Sequence, residues 1–324
     1  MKYCGCGCGE TIKGKGNFIP GHDAKLKSKL LQQWRKDRNY RALEELRNRN
    51  WLNNTKDNRT FGIEIECRVS GNTLSEAQIK VKDAIRRQGL EADVEGYNHS
   101  TRDYWKVIYD ASIDFSRGWQ GIEIVSPVLK GDEGRKQVEL VCKALEEVGA
   151  KVNKSCGLHI HHGANDLKLN DFKNLAFLYM VKEDEVDQMV AKSRRKNNNG
   201  FCRSLNSYYN VFQIKNARSV KQLIKWAGST RAPRYSKINF SAYVRHGTVE
   251  FRQHQGTVEA KKILAWLDFG QQMIRTAKNL TKAHGNNFLI PDEINLEDLV
   301  EMDYQQIEYW RNRKQKLDNV GVAA

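Results

Sequence analysis

Three short segments alternate between polar and apolar positions, and their polar members are residue types that bind ions. Gly62-Ile63-Glu64-Ile65-Glu66 carries two carboxylates at i and i+2. Gly157-Leu158-His159-Ile160-His161 carries two imidazoles at the same spacing, and Val249-Glu250-Phe251-Arg252-Gln253-His254 carries Glu, Arg and His at every second position. Residues i and i+2 of a strand share a face, so each segment predicts a strand with a polar face and a mostly apolar back. Three of them predict one sheet whose polar face is an active site.

From residue 59 onward, strands interleave with helices. Strands are expected over 60–69, 91–97, 104–109, 121–126 and 157–162. Helices are expected over 75–88 and 134–148, each stopped by a glycine, Gly89 and Gly149. Further helical stretches cover 170–192 and 219–227. Two alternating segments, 235–244 and 248–255, flank Arg245-His246-Gly247 and read as a hairpin. On the first of them Tyr235, Lys237, Asn239, Ser241 and Tyr243 form the polar set, and Ile238, Phe240 and Ala242 the apolar one. A helix over 257–280, with Thr257 as its N-cap, closes the domain. This order predicts an α+β fold, with a mainly antiparallel sheet covered by helices on one face.

Upstream, Asp23 is placed to cap a helix through Leu26, Leu30, Leu31 and Trp34, whose apolar stripe continues through Leu43 and Leu46 to Trp51. The run Asn53-Asn54-Thr55-Lys56-Asp57-Asn58 breaks it. The expected organisation is a Cys-rich module over 1–22, a helical linker over 23–58, the main domain over 59–292 and a polar, helix-prone tail over 293–324.

Composition adds a charge bias. The 324 residues carry 54 Lys and Arg against 39 Asp and Glu, a net charge of +15, which favours a nucleic acid, another polyanion or a phosphorylated small molecule as partner. The alternative is a solvated basic surface. Lys192 to Lys196, with Arg194 and Arg195, form a basic cluster beside Asn197-Asn198-Asn199-Gly200 that reads as a mobile loop. No stretch has the apolar length to span a membrane and no signal peptide is seen, so no membrane role is expected. Seven cysteines do not form a secreted disulfide framework, which points to the cytoplasm.

The first 22 residues are too short and glycine-rich to own a core. Cys4, Cys6, Cys8 and His22 could supply a Cys3His zinc site, the usual staple of so small a unit. The other reading is an unstructured tail.

Within the main domain, Glu64 and Glu66 repel each other unless a cation or solvent relieves them. Glu123, alone in the apolar strand Gly121-Ile122-Glu123-Ile124-Val125, makes with that pair a third candidate oxygen ligand for a hard cation. His159 and His161 share a strand face as ligands or acid–base groups, and His162 points the other way. Arg252 suits bidentate phosphate contact beside Glu250, with His254 on the same face, and Arg231 and Arg234 are placed to hold phosphate tails.

The ordered set Phe61-Gly62-Ile63-Glu64-Ile65-Glu66, Asp110-Ala111-Ser112-Ile113, Glu123-Ile124-Val125-Ser126-Pro127, Cys156-Gly157-Leu158-His159-Ile160-His161, Asn239 and Thr248-Val249-Glu250-Phe251-Arg252 resembles the amidoligase family of the glutamine synthetase and glutamate–cysteine ligase superfamily. The resemblance spans roughly residues 59 to 280. It implies a glutamine synthetase-like catalytic sheet and an ATP-dependent carboxylate–amine ligase that acts through an acyl phosphate with Mg2+ or Mn2+. By resemblance, Glu64, Glu66 and Glu123 ligate metal, and His159 and Glu250 complete a second position. His161 lies near the nucleotide with Asn239, and Arg252 stabilises the phosphoryl group in flight, so that Arg252, Glu250 and His161 are the catalytic set. The family's Asp-Gly-Ser reads Asp110-Ala111-Ser112 here. No counterpart of the ammonia-site acid is seen, which implies an amine larger than ammonia. The segment ending Gly21-His22-Asp23-Ala24-Lys25 resembles a small module of phage proteins, which implies a host cytoplasm.

Two other classes compete. His159-Ile160-His161 also fits the His-hydrophobic-His strand of metal-dependent DNA nickases, with Tyr208 or Tyr209 as nucleophile. A basic nucleic-acid-binding protein with a zinc knuckle is the non-enzymatic alternative. The first leaves Glu64, Glu66 and the Glu250–Arg252 pair without a role, and the second leaves all three polar faces without one.

Overall fold

A computed structural model describes residues 2–13, 15–52, 58–114, 116–227, 233–284 and 294–319. Helices α1 (His22–Asp37) and α2 (Tyr40–Asn48) precede β1 (Phe61–Ser70), α3 (Leu74–Arg87), β2 (Ala92–Val94), β3 (Trp105–Tyr109) and β4 (Trp119–Val125). Then follow α4 (Gly131–Glu147), β5 (Gly157–Gly163), α5 (Leu169–Asp187), α6 (Val211–Asn216), α7 (Val220–Ala227) and β6 (Ile238–Asn239). The chain continues through α8 (Ala242–His246), β7 (Thr248–Gln255), α9 (Ala260–His284), α10 (Leu296–Leu299) and α11 (Tyr304–Asn319). The fold is α+β. One sheet of order β2-β3-β4-β1-β5-β7-β6 is antiparallel except for the β2–β3 pair.

The period of two in the central strands sorts the sheet into two chemically distinct faces. Ile63, Ile65, Cys67, Ile122, Ile124, Leu158, Ile160, Val249 and Phe251 are buried on the back, in the apolar cluster shared with α3, α4, α5 and α9. Gly89 (φ 82°) and Gly149 (φ 70°) take the left-handed conformation just past α3 and α4, as their positions in sequence predict. The helices of residues 22–48 and 296–319 join the same cluster through Trp34, Leu43, Leu46, Leu299 and Trp310. Arg35 pairs with both oxygens of Glu301 at 2.6 Å, and Arg47 pairs with Asp298 at 2.7 Å, tying these two helical regions together. No helix among the described residues is long and apolar enough to cross a membrane.

Four expectations need correction. The predicted strand 235–244 shrinks to the two residues of β6, and α8 replaces the rest. Asn239 causes this, because its side-chain oxygen accepts from the Ser241 backbone N–H at 2.9 Å and turns the chain out of the ladder. The predicted hairpin turn is therefore the end of α8, closed by Gly247 at φ 64°. Ile160 of β5 faces Phe251 of β7 but Leu158 faces His254, so one residue of β5, His159, opposes two of β7, Arg252 and Gln253. This bulge turns His254 away from Glu250 and Arg252 and packs it against Trp266, with ring centroids 5.4 Å apart. Thr257 does not cap α9. It accepts from Glu259 N at 3.2 Å, in the turn before a helix that starts at Ala260. The basic segment 192–196 is pinned: Arg194 is buried, Arg195 donates to the Val190 carbonyl, and the Lys196 N–H donates to Asp187 at 2.7 Å.

Helix α9 lies close on the sheet because Gly270 faces His162. A Cβ at this position would stand 2.3 Å from His162 Nε2, and the imidazole is fully buried against Phe251. Alanine favours a helix interior by about 1 kcal/mol over glycine, but overpacking costs roughly 1–3 kcal/mol. Gly270→Ala is therefore expected to lower stability in urea denaturation. A gain in stability would mean that α9 can lift from the sheet without cost.

Candidate active site

Strand register carries the sequence-predicted polar residues into one row across the front face. Glu66 lies opposite Glu123 on β4, Glu64 opposite His159 on β5, and His161 opposite Glu250 on β7, which in turn faces Asn239 on β6. Asp110 follows β3 and overhangs Glu123, because Ile113 of the same loop packs on Gly121, where a Cβ would come within 2.9 Å of it. Ala111 is absent from the positive-φ residues, so its side chain costs no strain in this loop. These groups line a cleft of about 550 Å3, within the range of small-molecule sites.

Glu64 sits at the middle of the row. His159 Nδ1 lies 2.9 Å from one of its oxygens and His161 Nε2 lies 3.3 Å from the other. His159 Nε2 is 3.5 Å from Glu66, and His161 Nδ1 is 2.9 Å from Thr248 Oγ1. Burial would raise Glu64, but the hydrogen bonds to the two imidazoles outweigh it and hold its carboxyl well below the usual range. Burial would likewise lower His161, and the nearby Glu250 and Glu64 raise it instead. Glu250 is bound on both sides: Arg252 Nη1 pairs with one oxygen, and Asn239 Nδ2 donates to the other at 2.6 Å. Against burial, Arg252 and His161 hold it below the usual carboxylate range.

Glu123 has no such relief. Burial, followed by the charges of Glu64, Glu66 and Asp110, pushes its carboxyl well above its ordinary value. Three donor sets each bring their ligand atoms within 4.8 Å of one another: Glu66, Asp110 and Glu123; Glu64, Glu123 and His159; Glu64, His161 and Glu250. Carboxylate-rich sets of this kind suit hard divalent cations. Adjacent sets share Glu123 and Glu64, so the donors form a continuous line.

The walls include residues that the sequence reading missed. Lys106, buried on β3, donates to the Ser100 carbonyl at 2.7 Å and to Asn98, anchoring the 95–101 loop beside the cleft. Its signal was present, since it is a lone cation in an apolar strand. Arg194 donates to the carbonyls of Ser155 and Cys156 and packs on Gly157, where a Cβ would be 3.3 Å from its guanidinium. The Gly157 N–H donates to Glu66 Oε2 at 2.6 Å. Lys237 lies on the helix side, fully buried between Glu183 and Asp187, while its carbonyl accepts from Arg252 N at 2.9 Å. Gln253 joins this network through Asp187 and Tyr179. Arg234 lines the cleft and donates to the Tyr235 hydroxyl at 2.6 Å. Arg231 lies outside the described residues. Tyr208 and Tyr209 pack with the apolar cluster and line no part of the cleft. Cys4, Cys6, Cys8 and His22 assemble into a separate cluster.

The family model described as "putative amidoligase enzyme" matches residues 57–274, two thirds of the chain and every residue of the row. No curated protein matches the chain.

The charge imbalance at Glu123 makes a prediction in the presence of a chelator. A carboxyl raised above its unfolded value near 4.5 keeps its proton in the native state after the unfolded chain has released it. Stability then falls as pH rises from the unfolded value towards the native one. Glu123→Gln removes this term, so the variant should gain on the wild type as pH rises above the unfolded carboxyl value in denaturant titrations. Parallel curves would show that Glu123 titrates as an ordinary carboxylate.

Proposed function

The chain belongs to the amidoligase family, and from that premise we propose that its cleft joins a carboxylate to an amine at the expense of ATP. The observation that carries this reading is the line of three donor sets sharing Glu64 and Glu123, with Arg252 at one end. The raised Glu123 carboxyl marks buried negative charge that fits divalent cations.

In this reading Glu64, Glu66, Glu123, His159 and Glu250 hold Mg2+ or Mn2+ ions, with Asp110 as a further oxygen donor. Bound there, such ions neutralise phosphate charge as Lewis acids. Arg252 is fixed by Glu250, by the Phe201 carbonyl at 3.3 Å and by its own N–H to Lys237. It presents a guanidinium to the phosphoryl group as charge develops. His161 stands at the same end of the row, 3.3 Å from Glu64 and 3.9 Å from Glu250. Arg234 and Arg245, both lining the cleft, are placed for the outer phosphates. Asn239 lines the same cleft; its Nδ2 donates to Glu250 and its Oδ1 accepts from the Ser241 N–H, so it orients Glu250 at the edge of the nucleotide position. The substrate carboxylate attacks the γ-phosphorus and ADP leaves. The amine then attacks the acyl carbon and phosphate leaves.

The test uses ATP, Mg2+, pooled amino acids and small carboxylic acids, with hydroxylamine as a general amine. A hydroxamate and stoichiometric ADP are expected. Metal-dependent nicking of single-stranded DNA, with no ATP turnover, would overturn the reading. Glu64→Ala, His159→Ala and Glu250→Ala should each lower turnover by at least about a hundredfold while circular dichroism and the urea midpoint show a folded chain. Full activity in any of them removes that residue from the site.

A further inference from the structure

The N-terminal cysteines lie far from this chemistry in sequence, and their geometry has its own logic. An extended C-x-C-x-C segment would space its sulfurs by about 6.6 Å along one face. Here they converge. Tyr3 bridges to Thr11, the Cys4 N–H donates to the Glu10 carbonyl at 2.8 Å, and the Gly7 N–H donates back to the Cys4 carbonyl at 3.1 Å. Gly7 (φ 80°) and Gly9 (φ 82°) take left-handed conformations that bend the segment between these bonds. The alternating glycines are thus what lets three cysteines two residues apart meet.

His22 completes the group. Its Nδ1 lies 3.7 Å from Cys4 Sγ, 3.3 Å from Cys6 Sγ and 3.6 Å from Cys8 Sγ, and Cys4 and Cys6 are 3.3 Å apart. One nitrogen nearly equidistant from three sulfurs is the apex of a tetrahedron. Zinc bonds of about 2.3 Å to sulfur and about 2.0 Å to nitrogen give S···N edges of about 3.5 Å and S···S edges of about 3.8 Å. The thiols are free, and a disulfide would need about 2.0 Å between sulfurs. The Ile19 N–H points at Cys4 Sγ from 3.4 Å, the kind of outer contact that stabilises a metal-bound thiolate.

We propose that Cys4, Cys6, Cys8 and His22 Nδ1 form a closed, structural zinc site that fastens the N-terminal segment to the first turn of α1. Four protein ligands leave no open position, so the site holds structure and does no chemistry. Soft thiolates exclude Mg2+ and Mn2+, which keeps it distinct from the carboxylate line of the cleft. His22 is the first residue of α1, one position before the Asp23 cap that the sequence suggests. The knuckle also docks on the end of α2. Phe18 packs on Trp51 with centroids 6.0 Å apart, Arg49 lies over both rings, and Arg49 donates to the Gly5 carbonyl. A Cβ at Gly5 would stand 3.1 Å from the Phe18 ring, so glycine is needed for this contact too.

The experiment uses the full chain, purified under reducing conditions. About one zinc per chain is expected, released when a mercurial titrates the thiols. Replacement by Co2+ should give near-ultraviolet thiolate-to-cobalt charge transfer, a signature no ligand of the cleft can produce. Cys4→Ser/Cys6→Ser/Cys8→Ser should lose this zinc. The single variant Cys8→Ser, at an exposed position, should keep the fold and lose zinc to a chelator at least about tenfold more readily. Glu64→Ala should retain it in full. Cobalt bands without charge transfer, zinc content unchanged in the triple variant, or an iron–sulfur absorption spectrum would each overturn the proposal, whatever the outcome for ligase activity.

Discussion

The cleft depends on the register of β1 between β4 and β5. Glu64 stands opposite His159, Glu66 opposite Glu123, and Ile63 and Ile65 point back into the core. A slip of one residue would put isoleucine in the cleft and glutamate among the helices. The apolar back therefore fixes the polar front. The buried carboxylates repel one another, and the imidazoles, Arg252 and Lys106 offset part of that repulsion. The remainder collects at Glu123, towards the β3 end of the row.

A second layer holds the end of the row. Lys237, Glu183, Asp187, Gln253 and Tyr179 form a buried network in which each charge meets an opposite charge. Glu183 also accepts from Ser204 and from the Leu205 N–H, at 2.9 Å and 3.1 Å. A buried pair is a weak source of stability by itself. Its effect here is positional, because the same residues carry the Arg252 backbone and the 192–205 loop.

The strands bearing Glu64, His159 and Glu250 were legible because one back face is apolar and the period is two. The helices were legible from their apolar stripes and their terminal glycines. Three features were not. The short β6 follows from an Asn239 side chain that competes with its own ladder, which the alternating pattern around it conceals. The bulge in β7 leaves no local mark, since Gln253 and His254 continue the polar run. Arg194 belongs to a basic cluster by sequence and to the interior by structure, and only the absence of a side chain at Gly157 makes room for it. Lys106 could have been found by asking why one cation interrupts an apolar strand.

The β7 bulge acts as a shift of reading frame within a single strand. Before it, alternate residues face the cleft, as Glu250 does. Beyond it, His254 packs against Trp266. An insertion or deletion of one residue, tolerated in most surface loops, would here exchange the audiences of the two halves. Only a compensating length change in the same strand could restore both. Sequences that keep this cleft are therefore held to a fixed length across the bulge.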